Sequence, residues 1–313
     1  MTDAAALVNG ALRKAILVAA TNRGVRKAVD RYGMSLGAAR FVAGETLDEC
    51  VVVLRRLNER GLSANTTILG ENVTDAAEAR RVAEEYEVVL RRIAQERLQA
   101  NVALKLTHLG LELDEELAYQ NVARVVDAAA ELGNFVRIDM EHAAVVDATL
   151  GIYRRLRRSG RDNVGTVLQS YLYRSEDDLR SLLPLRPNLR FVKGAYLEPA
   201  SVAYPDKRDV DASFARLVEL ALAGGAYAAV ATHDETLIER TLAFARTHGI
   251  EGDRFELQML YGVRQRLQLE LVGRGHKVLV ATPYGPEWYP YLMRRLAERP
   301  ANVLFLARNL LGG

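Results

Sequence analysis

Val102-Ala103-Leu104-Lys105-Leu106-Thr107 is a short apolar run that ends in polar residues. A helical stretch follows, opened by Asp114 and closed by Gly133. The next run is Phe135-Val136-Arg137-Ile138-Asp139-Met140-Glu141. This strand, helix, strand unit decides the fold, because it recurs. The runs Thr67–Glu71, Val102–Thr107, Phe135–Glu141, Val164–Tyr171, Leu189–Tyr196, Tyr227–His233, Phe255–Leu260 and Val278–Tyr284 predict eight strands. Helical stretches lie between them. Asp75, with Glu78 three residues on, predicts a capping box; Ser175 opens a further helix, and Gly160 and Gly249 close two more. Such alternation implies parallel pairing through right-handed crossovers. An open doubly wound sheet is the alternative, but eight uniform repeats favour closure. The expected fold is a distorted, TIM-like (β/α)8 barrel.

Outward from that core, the chain divides in two. Residues 1–65 are expected to form an N-terminal helical segment, and residues 4–61 contain no convincing strand. Leu47–Leu57 has apolar residues at helical spacing, and shorter pieces before it are separated by Gly24, Gly33 and Gly44. Residues 66–313 form the barrel, with a C-terminal helix expected over its mouth. Hydrophobic residues make up 49% and charged residues 26%, which excludes a disordered chain. The net charge of +2 has no block of one sign, so a nucleic-acid backbone is not the expected partner. A single cysteine, Cys50, excludes an internal disulfide and fits a reducing, cytoplasmic setting. The longest apolar runs, such as Ala15–Ala20, are too short to span a bilayer. Only six of the 42 basic residues are lysine, so each lysine invites a question.

The polar residues gather at the carboxyl ends of the predicted strands, where a parallel barrel carries its chemistry. They are Glu71, Lys105 with Thr107, Asp139 with Glu141, Gln169 with Tyr171, Lys193 with Tyr196, Thr232 with His233 and Asp234, Gln258, and Thr282 with Tyr284. Period-2 alternation puts Lys105 and Thr107 on one strand face, and likewise Asp139 and Glu141. Charges in such a layer can also pair among themselves, Lys105 with Asp139 for instance. With five histidines and no His-x-His or His-Glu-x-x-His, no catalytic metal is expected. A Schiff-base lysine at Lys105 or Lys193 is compatible with the pattern, which would make the barrel a lyase or aldolase. A non-catalytic barrel that binds small anions is a further alternative. Gly-x-Gly-x-x-Gly is absent, so no Rossmann site is written here.

After the eighth strand comes Tyr284-Gly285-Pro286-Glu287-Trp288-Tyr289-Pro290-Tyr291-Leu292-Met293-Arg294-Arg295-Leu296-Ala297-Glu298. Pro290 suits the first turn of a helix. Helical spacing brings Tyr291 beside Arg294 and Arg295, with Glu298 a turn beyond. A solvated surface helix explains the charges if it stands alone. Over a barrel mouth, two adjacent guanidinium groups would instead hold a small anionic substrate.

Taken in order, Gly70-Glu71, Leu104-Lys105-Leu106, Ile138-Asp139-Met140-Glu141, Leu168-Gln169-Ser170-Tyr171, Arg190-Phe191-Val192-Lys193-Gly194-Ala195-Tyr196, Ala231-Thr232-His233 and Tyr291-Leu292-Met293-Arg294-Arg295 resemble the proline dehydrogenase family. The resemblance runs from about residue 66 to the C-terminus and looks like that of a stand-alone bacterial enzyme. It implies FAD as cofactor and oxidation of L-proline to 1-pyrroline-5-carboxylate by hydride transfer to flavin N5. It also implies passage of the electrons to a quinone. Peripheral membrane association would follow, because no spanning segment is expected. By the same resemblance, Lys105, Arg294 and Arg295 bind the proline carboxylate, Tyr284 and Tyr291 pack on the ring, and Glu71 pairs with Arg294. Gln169, Arg190, Lys193, Ala195, Thr232, His233 and Glu298 contact FAD, and Asp139 influences the flavin potential.

Overall fold

A computed structural model describes residues 40–71 and 73–298, with side chains as far as residue 293. Eight parallel strands close into a barrel in chain order: β1 Ser63–Ile68, β2 Ala100–Leu104, β3 Val136–Ile138, β4 Val164–Gln169, β5 Asn188–Val192, β6 Tyr227–Ala231, β7 Phe255–Leu260 and β8 Val278–Tyr284. Helix α1 is Leu47–Asn58. Helices α2 Ala76–Gln95, α3 Glu115–Glu131, α4 Val146–Arg158, α5 Ser175–Leu182, α6 Lys207–Ala223, α7 Glu235–Thr247 and α8 Gln265–Gly273 alternate with the strands, and α9 Trp288–Glu298 follows β8. The expected barrel is the observed one. The expected helical pieces before residue 40 lie outside the described residues.

Helix α2 shows why these segments fold as they do. Ala79, Val82, Ala83, Tyr86, Val89, Leu90 and Ile93 recur three and four residues apart and are all buried. Asp75 accepts from the Glu78 amide at 2.8 Å, as expected of a cap. Glu78 reaches back one residue further than a capping box requires, accepting from the Thr74 amide at 2.9 Å. Asp114 caps α3 through the Leu117 amide at 2.7 Å. Ser175 opens α5 as expected, and its hydroxyl donates to the Gln169 carbonyl at 2.5 Å, pinning the end of β4.

Six of the eight predicted strands differ at an end. β7 and β8 match, but β1 begins at Ser63 and ends before Glu71. β2 to β6 all stop two to four residues early, before Lys105, Asp139, Tyr171, Lys193 and Thr232. The reason is chemical. The regular ladder gives way to single backbone bonds, Asp139 amide to Leu104 carbonyl at 2.8 Å and Tyr171 amide to Lys193 carbonyl at 2.9 Å, where Lys105, Asp139 and Lys193 pair with charged side chains. Lys105 and Thr107 therefore do not share a strand face, nor do Asp139 and Glu141.

The chain packs as two units. In one, Leu54–Thr67 and Glu71–Ala281 make most of the barrel. Its strands are sealed on the outer face by helices, so β4 is buried along its whole length. The interior is polar: Asn65, Arg137, Arg190, Glu256 and Gln258 are all buried. Arg137 donates to the carbonyls of Thr166 at 3.0 Å and Asn188 at 2.8 Å, and burial pulls it down to a pKa of about 10. The other unit contains described residues 40–53, 68–70 and 282–298. Here the Leu69 amide donates to the Tyr284 carbonyl at 2.7 Å, and the Trp288 indole donates to Glu45 at 2.7 Å.

Candidate active site

At the ends of β1 and β2, Lys105 donates to Glu71, with 15% and 27% of their side chains exposed. The partner of Lys105 is thus Glu71 and not Asp139. Asp139, just past β3, accepts from Arg190 Nη1 at 2.7 Å. The second arm of that guanidinium, Nη2, donates to Asn65 Oδ1 at 2.7 Å. Asn65 was missed in the sequence. It lies inside β1, two residues before the run first assigned to that strand.

Glu141 is buried and works in the frame. It accepts from the Thr107 amide at 3.1 Å and from its hydroxyl at 2.6 Å. Burial still pushes its carboxyl above the usual range. Its carbonyl accepts from Gln169 Nε2 at 2.7 Å, so Glu141 orients Gln169 at the end of β4. The amide oxygen of Gln169, the hydroxyl of Tyr171 and Nε of Arg190 are buried without a hydrogen-bond partner among the described residues. Burial, then the Glu198 charge, raises the Tyr171 phenol.

Beyond β5, the Lys193 ammonium sits 2.5 Å from Asp211 and 3.1 Å from Asp234. Burial raises both carboxyls, but lysine, chiefly Lys193, outweighs it and holds both below the usual range. Gly194 has φ +114°, and a Cβ there would meet the Tyr171 ring at 2.3 Å. Only glycine brings the backbone that close. Ala195 follows, exposed. Past β6, the Thr232 hydroxyl accepts from the Asp234 amide at 3.1 Å. His233 Nε2 accepts from the Leu260 amide at 3.0 Å, which fixes a neutral ring with its proton on Nδ1.

Lys105, Glu71, Asp139, Gln169, Lys193, Ala195, Thr232 and His233 therefore follow or close consecutive strands of one unit, at the carboxyl ends, while Arg190 lies within β5. Tyr284, buried at the end of β8, and Tyr291, half-buried on α9, belong to the other unit. Arg294, Arg295 and Glu298 fall on α9, and their side chains lie outside the described residues.

Orphaned polar atoms at and just past the end of β4, with a fixed guanidinium on β5, suit a group that is both planar and rich in donors and acceptors. A flavin is such a group. The sheltered Gln169 oxygen suits a donor from such a group.

Comparison with known proteins agrees. The family model described as proline dehydrogenase matches residues 50–308. Proline dehydrogenase 1 of Bacillus subtilis strain 168 is 44% identical over 300 residues, covering 96% of this chain and 99% of that protein. Proline dehydrogenase of Deinococcus radiodurans is 42% identical over 311 residues, covering 98% and 100%. The bifunctional protein PutA of Escherichia coli is 26% identical over 91% of this chain, which spans 25% of that protein. Among solved structures, proline utilization A from Bdellovibrio bacteriovorus, inactivated by N-propargylglycine, superposes with a TM-score of 0.79 at 24% identity, over 86% of this chain and 33% of its own; that likeness speaks to the fold. With its barrel, its ordered mouth residues and relatives matched end to end, this chain belongs to the proline dehydrogenase family.

Proposed function

We propose that the mouth of the barrel holds FAD and L-proline side by side. The chain oxidises L-proline to 1-pyrroline-5-carboxylate, and its family is flavin-dependent. A hydride leaves the ring carbon beside nitrogen, a proton leaves the nitrogen, and a C=N bond forms. FAD bound at the mouth supplies the hydride acceptor. The observation that carries this reading is the set of orphaned buried atoms on Gln169, Tyr171 and Arg190, next to the cations Arg190 and Lys193.

In this reading Gln169, Arg190, Lys193, Ala195, Thr232 and His233 hold the cofactor, and Glu298 joins them on motif order alone. Arg190, tied to Asp139, places a fixed positive charge where negative charge develops on reduction. Lys105 faces the proline carboxylate, with Glu71 orienting its ammonium. Arg294 and Arg295 complete the carboxylate site, Glu71 also pairs with Arg294, and Tyr284 and Tyr291 pack on the ring; these roles rest on the order of the motifs. Electrons pass on to a quinone, met at a cytoplasmic membrane surface. Among the described residues no helix is long and apolar enough to cross a membrane.

The cofactor claim is tested by acid precipitation of the purified protein. FAD should appear in the supernatant by chromatography, because no residue is marked for covalent attachment. A flavin-free supernatant would overturn it. Borohydride trapping of a carbonyl substrate as a covalent adduct on Lys105 or Lys193 would instead support the lyase alternative.

A further inference from the structure

We propose that Asn65, backed by Asn101, is a positioning residue. It holds the Arg190 guanidinium in place across the barrel and thereby helps set the reduction potential of the bound flavin. This rests on the FAD reading above.

The geometry is specific. Arg190 is on β5 and Asn65 on β1, four strands away in the closed order, so their 2.7 Å hydrogen bond crosses the interior. Both residues are buried, at 8% and 1% exposure. A guanidinium carries donors only, so Asn65 must turn its carbonyl oxygen toward it. That leaves the Asn65 amide nitrogen pointing away, where it donates to Asn101 Oδ1. Asn101 is the register partner of Asn65 on β2. The chain of hydrogen bonds thus has one possible direction, imposed by the cation at its end.

Charge explains why the residue is an amide. Asp139 already supplies a carboxylate to one arm of Arg190. That pair is already formally neutral, so a second carboxylate would leave a net negative charge beside a reduced flavin. An amide oxygen anchors the other arm and leaves the net charge unchanged. With two arms fixed from two strands, the guanidinium cannot swing toward Asp139 alone. Its unpartnered Nε is then presented in one orientation.

The test is redox titration of the purified flavoprotein, with flavin content measured on the same samples. Asn65→Leu keeps the size and removes the acceptor. Asn101→Leu removes the group that orients the Asn65 amide, and gives a second route if the first variant does not fold. Each is also combined with Arg190→Met. We expect flavin content near the wild-type level and a midpoint potential shifted to more negative values, more for Asn65→Leu than for Asn101→Leu. Flavin reduction by proline should slow by about tenfold in Asn65→Leu, as expected for one charge-assisted hydrogen bond. In the Arg190→Met background neither change should move the potential further. Wild-type potentials in both single variants would overturn the proposal. So would a shift that persists in full without Arg190, since a merely structural role predicts that. A wild-type protein without flavin would sink the FAD reading instead.

Discussion

Lys105 and Glu71 form a half-buried ion pair that ties the end of β2 to the chain beyond β1. An ammonium has three donors, so Lys105 can keep Glu71 and still donate to a substrate carboxylate. Glu71 therefore aims the lysine and does not use it up. Lys105→Met should raise the Michaelis constant for proline by about 30-fold or more, the cost of removing one member of a buried charged set. Glu71→Gln keeps the shape and one hydrogen bond, so its effect should be smaller. Steady-state kinetics on both variants, with flavin content unchanged, checks the order.

Gly194 separates two costs of glycine substitution. Its φ of +114° is strained for any side chain, and a Cβ would also strike the Tyr171 ring. Gly133 has a φ of +62° but nothing within 4 Å of the added carbon. Gly133→Ala should cost about 1 kcal/mol. Gly194→Ala should cost about 2 kcal/mol or more and lower flavin content, because Lys193 and Ala195 move with it. Urea unfolding and flavin absorbance measure the two effects.

His108 makes the fold sensitive to mild acid. Burial, helped by the nearby Lys105 charge, lowers its pKa from about 6.5 to about 4. The folded state thus binds fewer protons than the unfolded state between those values. Stability is unaffected by this residue above about pH 6.5 and falls as pH drops toward 4. The slope is about 1.4 kcal/mol per pH unit, or about 3 kcal/mol in all. Below pH 4 the loss levels off. His108→Gln should flatten this component, seen as the difference between wild type and variant in unfolding free energy at pH 7 and pH 4.5.

The repeat of apolar runs and helices was enough to count eight strands and close the barrel, because burial on both faces marks each strand. The strand ends were not legible. Lys105, Asp139 and Lys193 continue the apolar runs in sequence, yet lie just past the regular strands, where their side chains reach Glu71, Arg190, Asp211 and Asp234. Those partners lie on other elements, and a sequence does not show which charge meets which. Asn65 was hidden for the same reason: its role lies in a bond to Arg190, 125 residues away. Ser175 opens its helix as the sequence suggests, but its hydroxyl bonds back to β4, a contact that no local signal shows.

The adjacent arginines of α9 carry the substrate assignment in the sequence. A carboxylate drawn from water into a barrel mouth needs permanent charge, and guanidinium provides two parallel hydrogen bonds. Arg295→Met should raise the Michaelis constant for proline by at least about 30-fold with normal flavin content. A surface ion pair would contribute about 0–1 kcal/mol and leave kinetics within a few-fold.

The most direct measurement is the visible spectrum of the purified protein during anaerobic titration with L-proline. A flavin and a proline site in one barrel mouth predict a yellow protein whose flavin bands bleach as L-proline is added. A protein with no flavin bands, or with bands that L-proline leaves untouched, would contradict the account.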